Sequence, residues 1–114
     1  MKVVNRQIKG DVGSGYYYFG DYGEIPVGIS YTEFQDVSQI VEDKKHYHKE
    51  SSEYYIVFKG ELQLEISDKT YTVDENQMIM VEPGEIHYVK AVTKTPLSTI
   101  TFATVKKEGD KVNV

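Results

Sequence analysis

The stretch Glu61-Leu62-Gln63-Leu64-Glu65-Ile66-Ser67 alternates polar and apolar residues, with Leu62, Leu64 and Ile66 at every second position. Successive side chains of an extended strand point to opposite faces, so this spacing predicts a strand with one buried face. Just upstream, Glu53-Tyr54-Tyr55-Ile56-Val57-Phe58 is a β-branched and aromatic run that ends at Lys59-Gly60. It reads as a buried strand entering a tight turn. Downstream, Ser67-Asp68-Lys69 turns the chain into a further strand over residues 70–73, and the two connections predict a meander.

Beyond this, Met78-Ile79-Met80-Val81 reads as a short strand stopped by Glu82-Pro83-Gly84-Glu85, because proline lacks a ladder donor and glycine accepts unusual dihedrals. Both methionines are expected to fill gaps in the core. Residues 86–92 form the next expected strand, and Thr95-Pro96 interrupts the chain before a long strand over residues 97–105, with Leu97, Thr99, Thr101, Ala103 and Val105 on one side. Residues 106–114 are polar and are expected to fray at their end.

Toward the N-terminus, residues 3–8 read as an edge strand and residues 27–34 as another, and the spacing of Phe34, Val37, Ile40 and Val41 permits one helical turn. The cluster Tyr16-Tyr17-Tyr18-Phe19 is expected to pack across a partner subunit or to form a lid, the former being favoured. About eight to ten short strands without a long helix predict an all-β fold, an antiparallel sandwich or closed barrel. A single domain over residues 1–114 is expected, since 114 residues suffice for one core.

Composition narrows the chemistry. Cysteine is absent, so any metal must be held by imidazole and oxygen ligands. The formal net charge is −5, and the basic residues are scattered apart from Lys44-Lys45 and Lys106-Lys107, which argues against nucleic acid as a partner. Neither a signal-peptide-like start nor a membrane-length apolar segment is evident, so a cytoplasmic protein with no membrane association is expected.

All three histidines fall in two places, His46-Tyr47-His48 and Pro83-Gly84-Glu85-Ile86-His87. Residues two apart on a strand share a face about 6.6 Å apart along the chain, so His46 and His48 can converge on one ion. Two carboxylates follow closely. Glu50 shares their parity, whereas Glu53 reaches the same ion if the chain bends between them, for which Ser51-Ser52 offers a place. Glu82 and Glu85 read as solvated acids.

These residues resemble the cupin superfamily, whose first motif is Gly, five residues, His-x-His, three or four residues, Glu, six residues, Gly. His46, His48, Glu53 and Gly60 match it, with Ile40 at the leading position. The second motif is Gly, five residues, Pro-x-Gly, two residues, His, three residues, Asn. Gly84 and His87 match; Asn76 replaces the leading Gly, Glu82 takes the Pro position with Pro83 beside it, and Ala91 replaces the closing Asn. Asn tolerates the left-handed conformation, so Asn76 can keep the turn.

The resemblance, which runs from Ile40 to near Val92, implies a double-stranded β-helix, that is, a jelly-roll barrel. It also implies that His46, His48, Glu53 and His87 ligate one divalent transition metal ion. Three imidazoles and a carboxylate suit Mn, Fe, Co, Ni or Zn rather than an all-oxygen calcium site. Tyr55 and Val57 share the parity of Glu53, and Val89 that of His87, so these three are expected to line the cavity as well as fill the barrel. A homodimer is expected by the same resemblance. The expected function is that of a metal-dependent enzyme acting on a small polar molecule such as a sugar, keto acid or diol, of isomerase, lyase or dioxygenase type. A non-catalytic binding or sensing module on the same barrel is the alternative.

Overall fold

In the computed structural model the described residues are 1, 3–8, 15–19, 28–35, 43–105 and 107–114. Among them the chain forms nine strands and no helix: β1 (Gln7–Ile8), β2 (Tyr16–Phe19), β3 (Gly28–Phe34), β4 (His46–His48), β5 (Glu53–Ile66), β6 (Lys69–Val73), β7 (Gln77–Val81), β8 (His87–Ala103) and β9 (Lys111–Asn113). The helical turn expected after Phe34 lies outside the described residues, as does most of the Gly-rich stretch around β2. Among the described residues no helix is long and apolar enough to cross a membrane.

All pairings are antiparallel, and β5 and β8 organise them. The first half of β5 pairs with β7 on one side and with the second half of β8 on the other, while β3 and β2 continue outward from β8. The second half of β5 pairs with β6 and with the first half of β8, which in turn meets β4 through His46 and His87. Two long strands thus each serve both layers of a jelly roll. The core between the layers holds Phe34, Tyr55, Val57, Leu62, Leu64, Ile66, Val73, Val81, Val92 and Leu97.

This arrangement corrects the meander. Lys59-Gly60 does not end a strand; β5 bends there, with shifts of register between Val57 and Lys59 and between Lys59 and Glu61. Gly60 has a φ of 83°, and a Cβ on it would lie 2.6 Å from the carbonyl oxygen of Lys94 and 2.8 Å from that of Pro96. A glycine signals a change of direction, and only the partner strand determines whether pairing resumes after it. Thr95-Pro96 behaves likewise, because β8 continues through it and pairing is regained at Ser98 opposite Lys59. The hairpin between β5 and β6 is as expected, with Ser67 and Asp68 both at positive φ, 48° and 67°. Asn76 also takes up the left-handed conformation, at φ 62°.

Met78 and Met80 are not core residues: they are 54% and 43% exposed. Period-two alternation in β7 gives the inward positions to Ile79 and Val81. The methionines instead extend outward rows, Met80 beside Tyr54 and Met78 beside Ile56, where Tyr54 also stacks on Phe102 at 4.6 Å between ring centres. Val105, expected on the last strand, lies past its end and is exposed. The fraying expected at the end of the tail is corrected too, since β9 pairs with β4 over three residue pairs. A strand partner supplies backbone hydrogen bonds that polarity alone does not reveal.

Gly60→Ala is expected to lower stability by at least roughly 1–3 kcal/mol, the usual cost of a disfavoured backbone conformation, and by more once backbone must shift. Gly84→Ala, at a similar φ of 85° but with nothing within 4 Å of the added Cβ, should cost less. Denaturant unfolding of the two variants side by side checks this, and equal losses would contradict the close approach at Gly60.

Candidate metal centre

The site is assembled where the two layers face each other. His46 and His48 share the inward face of β4 and are 3% and 8% exposed. His87 opens β8 as the direct cross-strand partner of His46, which brings their ring centres to 4.3 Å. The turn before it is tied to β4 by the Gly84 N–H, which donates to the His48 carbonyl at 2.8 Å. After β4 the chain bends at Lys49-Glu50 and leaves strand geometry through Ser51-Ser52. That changes the parity, so Glu53 starts β5 facing inward, opposite Val81.

One ligand atom from each of His46, His48, Glu53 and His87 lies within 4.8 Å of all the others. Glu53 Oε2 is 2.9 Å from His48 Nε2, and Glu53 Oε1 is 3.1 Å from His87 Nε2 and 3.9 Å from His46 Nε2. Glu50, the rival carboxylate, is exposed and accepts from Lys107 Nζ at 3.2 Å. Glu82 and Glu85 stay in the turn before β8, joined by a bond from the Glu82 N–H to Glu85 Oε1. Tyr55 is buried and its hydroxyl donates to Glu53 Oε1. Val57 belongs to the core and Val89 packs against it.

The outer nitrogens of the imidazoles are engaged as well. Nδ1 of His46 is 2.6 Å from the Lys44 carbonyl, and Nδ1 of His87 is 2.9 Å from the Glu85 carbonyl. A carbonyl oxygen can only accept, so each Nδ1 carries the proton and Nε2 is the atom turned inward. His48 presents Nδ1 to Asp110 Oδ2 at 3.0 Å. His48 Nε2 is buried and, despite the nearby carboxylate, makes no well-directed hydrogen bond. Three Nε2 atoms and a carboxylate converging on one point, one of them without a partner, fit a divalent transition ion held by nitrogen and oxygen.

Electrostatics agree with a place for positive charge. Burial pushes the Glu53 carboxyl up, but the close approach of the His46, His48 and His87 rings and the hydrogen bond donated by Tyr55 outweigh it and hold the group well below the ordinary carboxylate range. His48 is raised, above all by its contact with the Glu53 carboxylate, against the opposing effect of burial and with help from Asp110. Tyr55 is pushed well above its usual value by burial and then by the charge on Glu53, so it stays a neutral donor.

A family model for the cupin domain matches residues 38–103 of the chain. The protein is a cupin. Among solved structures, Pac13 from Streptomyces, described as a unique nucleoside dehydratase, is 18% identical over 97% of this chain and 84% of its own, with a TM-score of 0.63. A cupin protein from Bacteroides fragilis is 16% identical over 96% of this chain and 89% of its own, with a TM-score of 0.64. A cupin superfamily protein from Desulfitobacterium hafniense is 15% identical, covering 80% of this chain and 76% of its own at a TM-score of 0.60. These likenesses concern the fold. No curated protein sequence matches the chain.

In this cupin the family's closing Asn position falls at Ala91, inside β8 and opposite Gln63. The leading position of the first motif, Ile40, lies outside the described residues. Asp110 is the contact that motif reasoning missed. It lies 62 residues from His48 in sequence, and nothing local to the Glu108-Gly109-Asp110 stretch marks it.

The shifts give the metal-free cupin a defined pH response. A raised His48 adds stability that is complete below its unfolded value of 6.5 and is lost as pH climbs through the folded value. A lowered Glu53 adds stability that is complete above its unfolded value of 4.5 and is lost as pH falls through the folded value. With chelator present, the unfolding midpoint is therefore expected to be highest between these two pH values. A midpoint that keeps rising to pH 8 in chelator would contradict the proton-holding cluster.

Proposed function

We propose that this cupin is a metal-dependent enzyme acting on a small polar molecule, with His46, His48, Glu53 and His87 holding one divalent transition ion. The observation that carries the reading is the convergence of three inward Nε2 atoms and one carboxylate oxygen at a buried point. Bound there, an ion of the Mn, Fe, Co, Ni or Zn group would act as a Lewis acid or lower the pKa of a water molecule.

The chain's own residues bear on the kind of molecule. Tyr55 lies opposite Thr101, Thr101 opposite Ser30, and Ser30 opposite Tyr18, so four hydroxyl-bearing residues form one row across β5, β8, β3 and β2. The row faces inward, because Tyr55 and Val57 share a face of β5 and both are buried. Thr101, Ser30 and Tyr18 are each partly exposed, as expected of a wall bordering open space rather than of packed core. Tyr55, Ser30 and Tyr18 already donate to Glu53, the Thr101 carbonyl and Gln7, so the row offers mainly accepting hydroxyl oxygens, which suits the hydroxyl donors of a sugar or diol. The fold also accommodates nucleoside dehydration in Pac13, which supports a reading of this class. Tyr55 keeps the Glu53 carboxylate oriented through its hydroxyl.

Metal analysis of purified protein should give one transition ion per chain, with His87→Ala reducing uptake to background. Turnover of sugar, diol, keto acid or nucleoside substrates by the loaded protein, lost in His87→Ala, is the expected result. Thermal stabilisation by one of these compounds without product would instead make the barrel a binding module. Thr101→Val and Ser30→Ala should leave metal content unchanged and raise KM by about 3- to 10-fold each, the worth of one ordinary hydrogen bond. An unchanged KM in both would remove the hydroxyl row from substrate recognition.

A further inference from the structure

Asp110 belongs to a part of the chain that neither cupin motif reaches and that lies past the residues matched by the family model, 38–103. It is 5% exposed, which for an aspartate requires partners. Its Oδ2 faces His48 Nδ1 at 3.0 Å, while Oδ1 accepts from the backbone N–H groups of Glu50 at 2.7 Å and Ser51 at 3.3 Å. We propose that Asp110 is a positioning residue for the metal centre, fixing the ring and tautomer of His48 and the bend that turns Glu53 toward the same point. The inference rests on the reading of His46, His48, Glu53 and His87 as a metal site.

The three imidazoles differ in how they are held. His46 and His87 each use a backbone carbonyl two residues earlier, from Lys44 and Glu85, so their orientation follows from their own strands. His48 has no such local bond and draws its partner from the other end of the chain. Both carboxylates can only accept, but Glu53, 2.9 Å from Nε2, makes no well-directed hydrogen bond with it, whereas Asp110 does with Nδ1; the proton therefore sits on Nδ1 and Nε2 keeps its lone pair for the ion. The carboxylate also makes the ring a stronger ligand than a carbonyl would.

The other oxygen acts on the connection between His48 and Glu53. Glu50 and Ser51 lie in the bend that reverses parity between β4 and β5, and their N–H groups would otherwise have to find other acceptors. One side chain therefore spans both ligands. It is held in turn by β9, whose Lys111, Val112 and Asn113 pair with His48, Tyr47 and His46. The Lys49 N–H donates to the Asp110 carbonyl at 2.9 Å, and the Val114 N–H to the Lys45 carbonyl at 3.0 Å, closing the pairing at both ends.

The test is Asp110→Asn, which keeps the size of the side chain and an oxygen for the Glu50 and Ser51 donors. The amide then turns its NH2 toward His48 Nδ1, which must accept, and the proton moves to Nε2, where it blocks ligation. Affinity for Zn(II) and Co(II), measured by competition with a chelating dye, should fall about 10- to 100-fold. Nitrogen NMR of the metal-free protein, at a pH where the ring is neutral, should show His48 as the Nδ1–H tautomer in wild type and as Nε2–H in the variant. Asp110→Glu, which restores an accepting carboxylate, should recover part of the affinity. Wild-type affinity in Asp110→Asn, or a wild-type His48 protonated on Nε2, overturns the inference, and the second outcome can be read even if the variant fails to fold. Wild-type protein that takes up neither ion overturns the metal centre itself and this role with it.

Discussion

The site turns on the carboxylate of Glu53, a charge placed inside a barrel where water cannot serve it well. A buried carboxylate is tolerable only when hydrogen bonds and positive charge compensate for the lost solvation. Here three imidazoles and the Tyr55 hydroxyl surround it, and His48 and His87 approach within 2.9 and 3.1 Å. With their outer nitrogens committed to carbonyls, His46 and His87 aim Nε2 lone pairs at the carboxylate oxygens. Lone pairs facing oxygens repel unless a cation lies between them. Protons can fill that role in the metal-free protein, and a divalent ion would fill it with one particle.

The fold supplies this meeting point by making two strands do the work of four. Because β5 and β8 bend and pass between layers, Glu53 starts on one layer while His87 starts on the other, and the layers bring them face to face. The bends carry the cost. Gly60 sits where backbone carbonyls of Lys94 and Pro96 come so close that a side chain has no room. The geometry of the site is thus tied to a glycine in the middle of the strand that Glu53 opens.

Strand polarity was legible from the sequence wherever one face is buried: Leu62, Leu64 and Ile66 alternate and are buried as the spacing requires. The grouping of His46, His48, Glu53 and His87 was also legible, through motif spacing together with a bend that parity requires between His48 and Glu53 and for which Ser51-Ser52 offers a place. What escaped was whatever depends on a partner distant in sequence. Gly60 and Pro96 each signal a break, yet pairing with the opposite strand resumes beyond them. Met78 and Met80 are apolar, but the inward positions of β7 were already taken by Ile79 and Val81. Asp110 looked like part of a polar tail because the strand that orders it, β4, is more than 60 residues away.

These misses share a cause that also bears on function. A short strand such as β4, with three residues, cannot by itself fix two imidazoles to the tolerance that ligation needs, since its pairing with β8 is one residue pair. Its other edge is covered by β9, so the precision of the centre is borrowed from the C-terminal segment rather than from the motif-bearing strands. The motifs then specify which atoms meet, while residues outside them decide how firmly they are held. Proteins that share the two motifs can therefore differ in metal affinity without differing in ligands, because the support lies in segments that the motifs leave unconstrained.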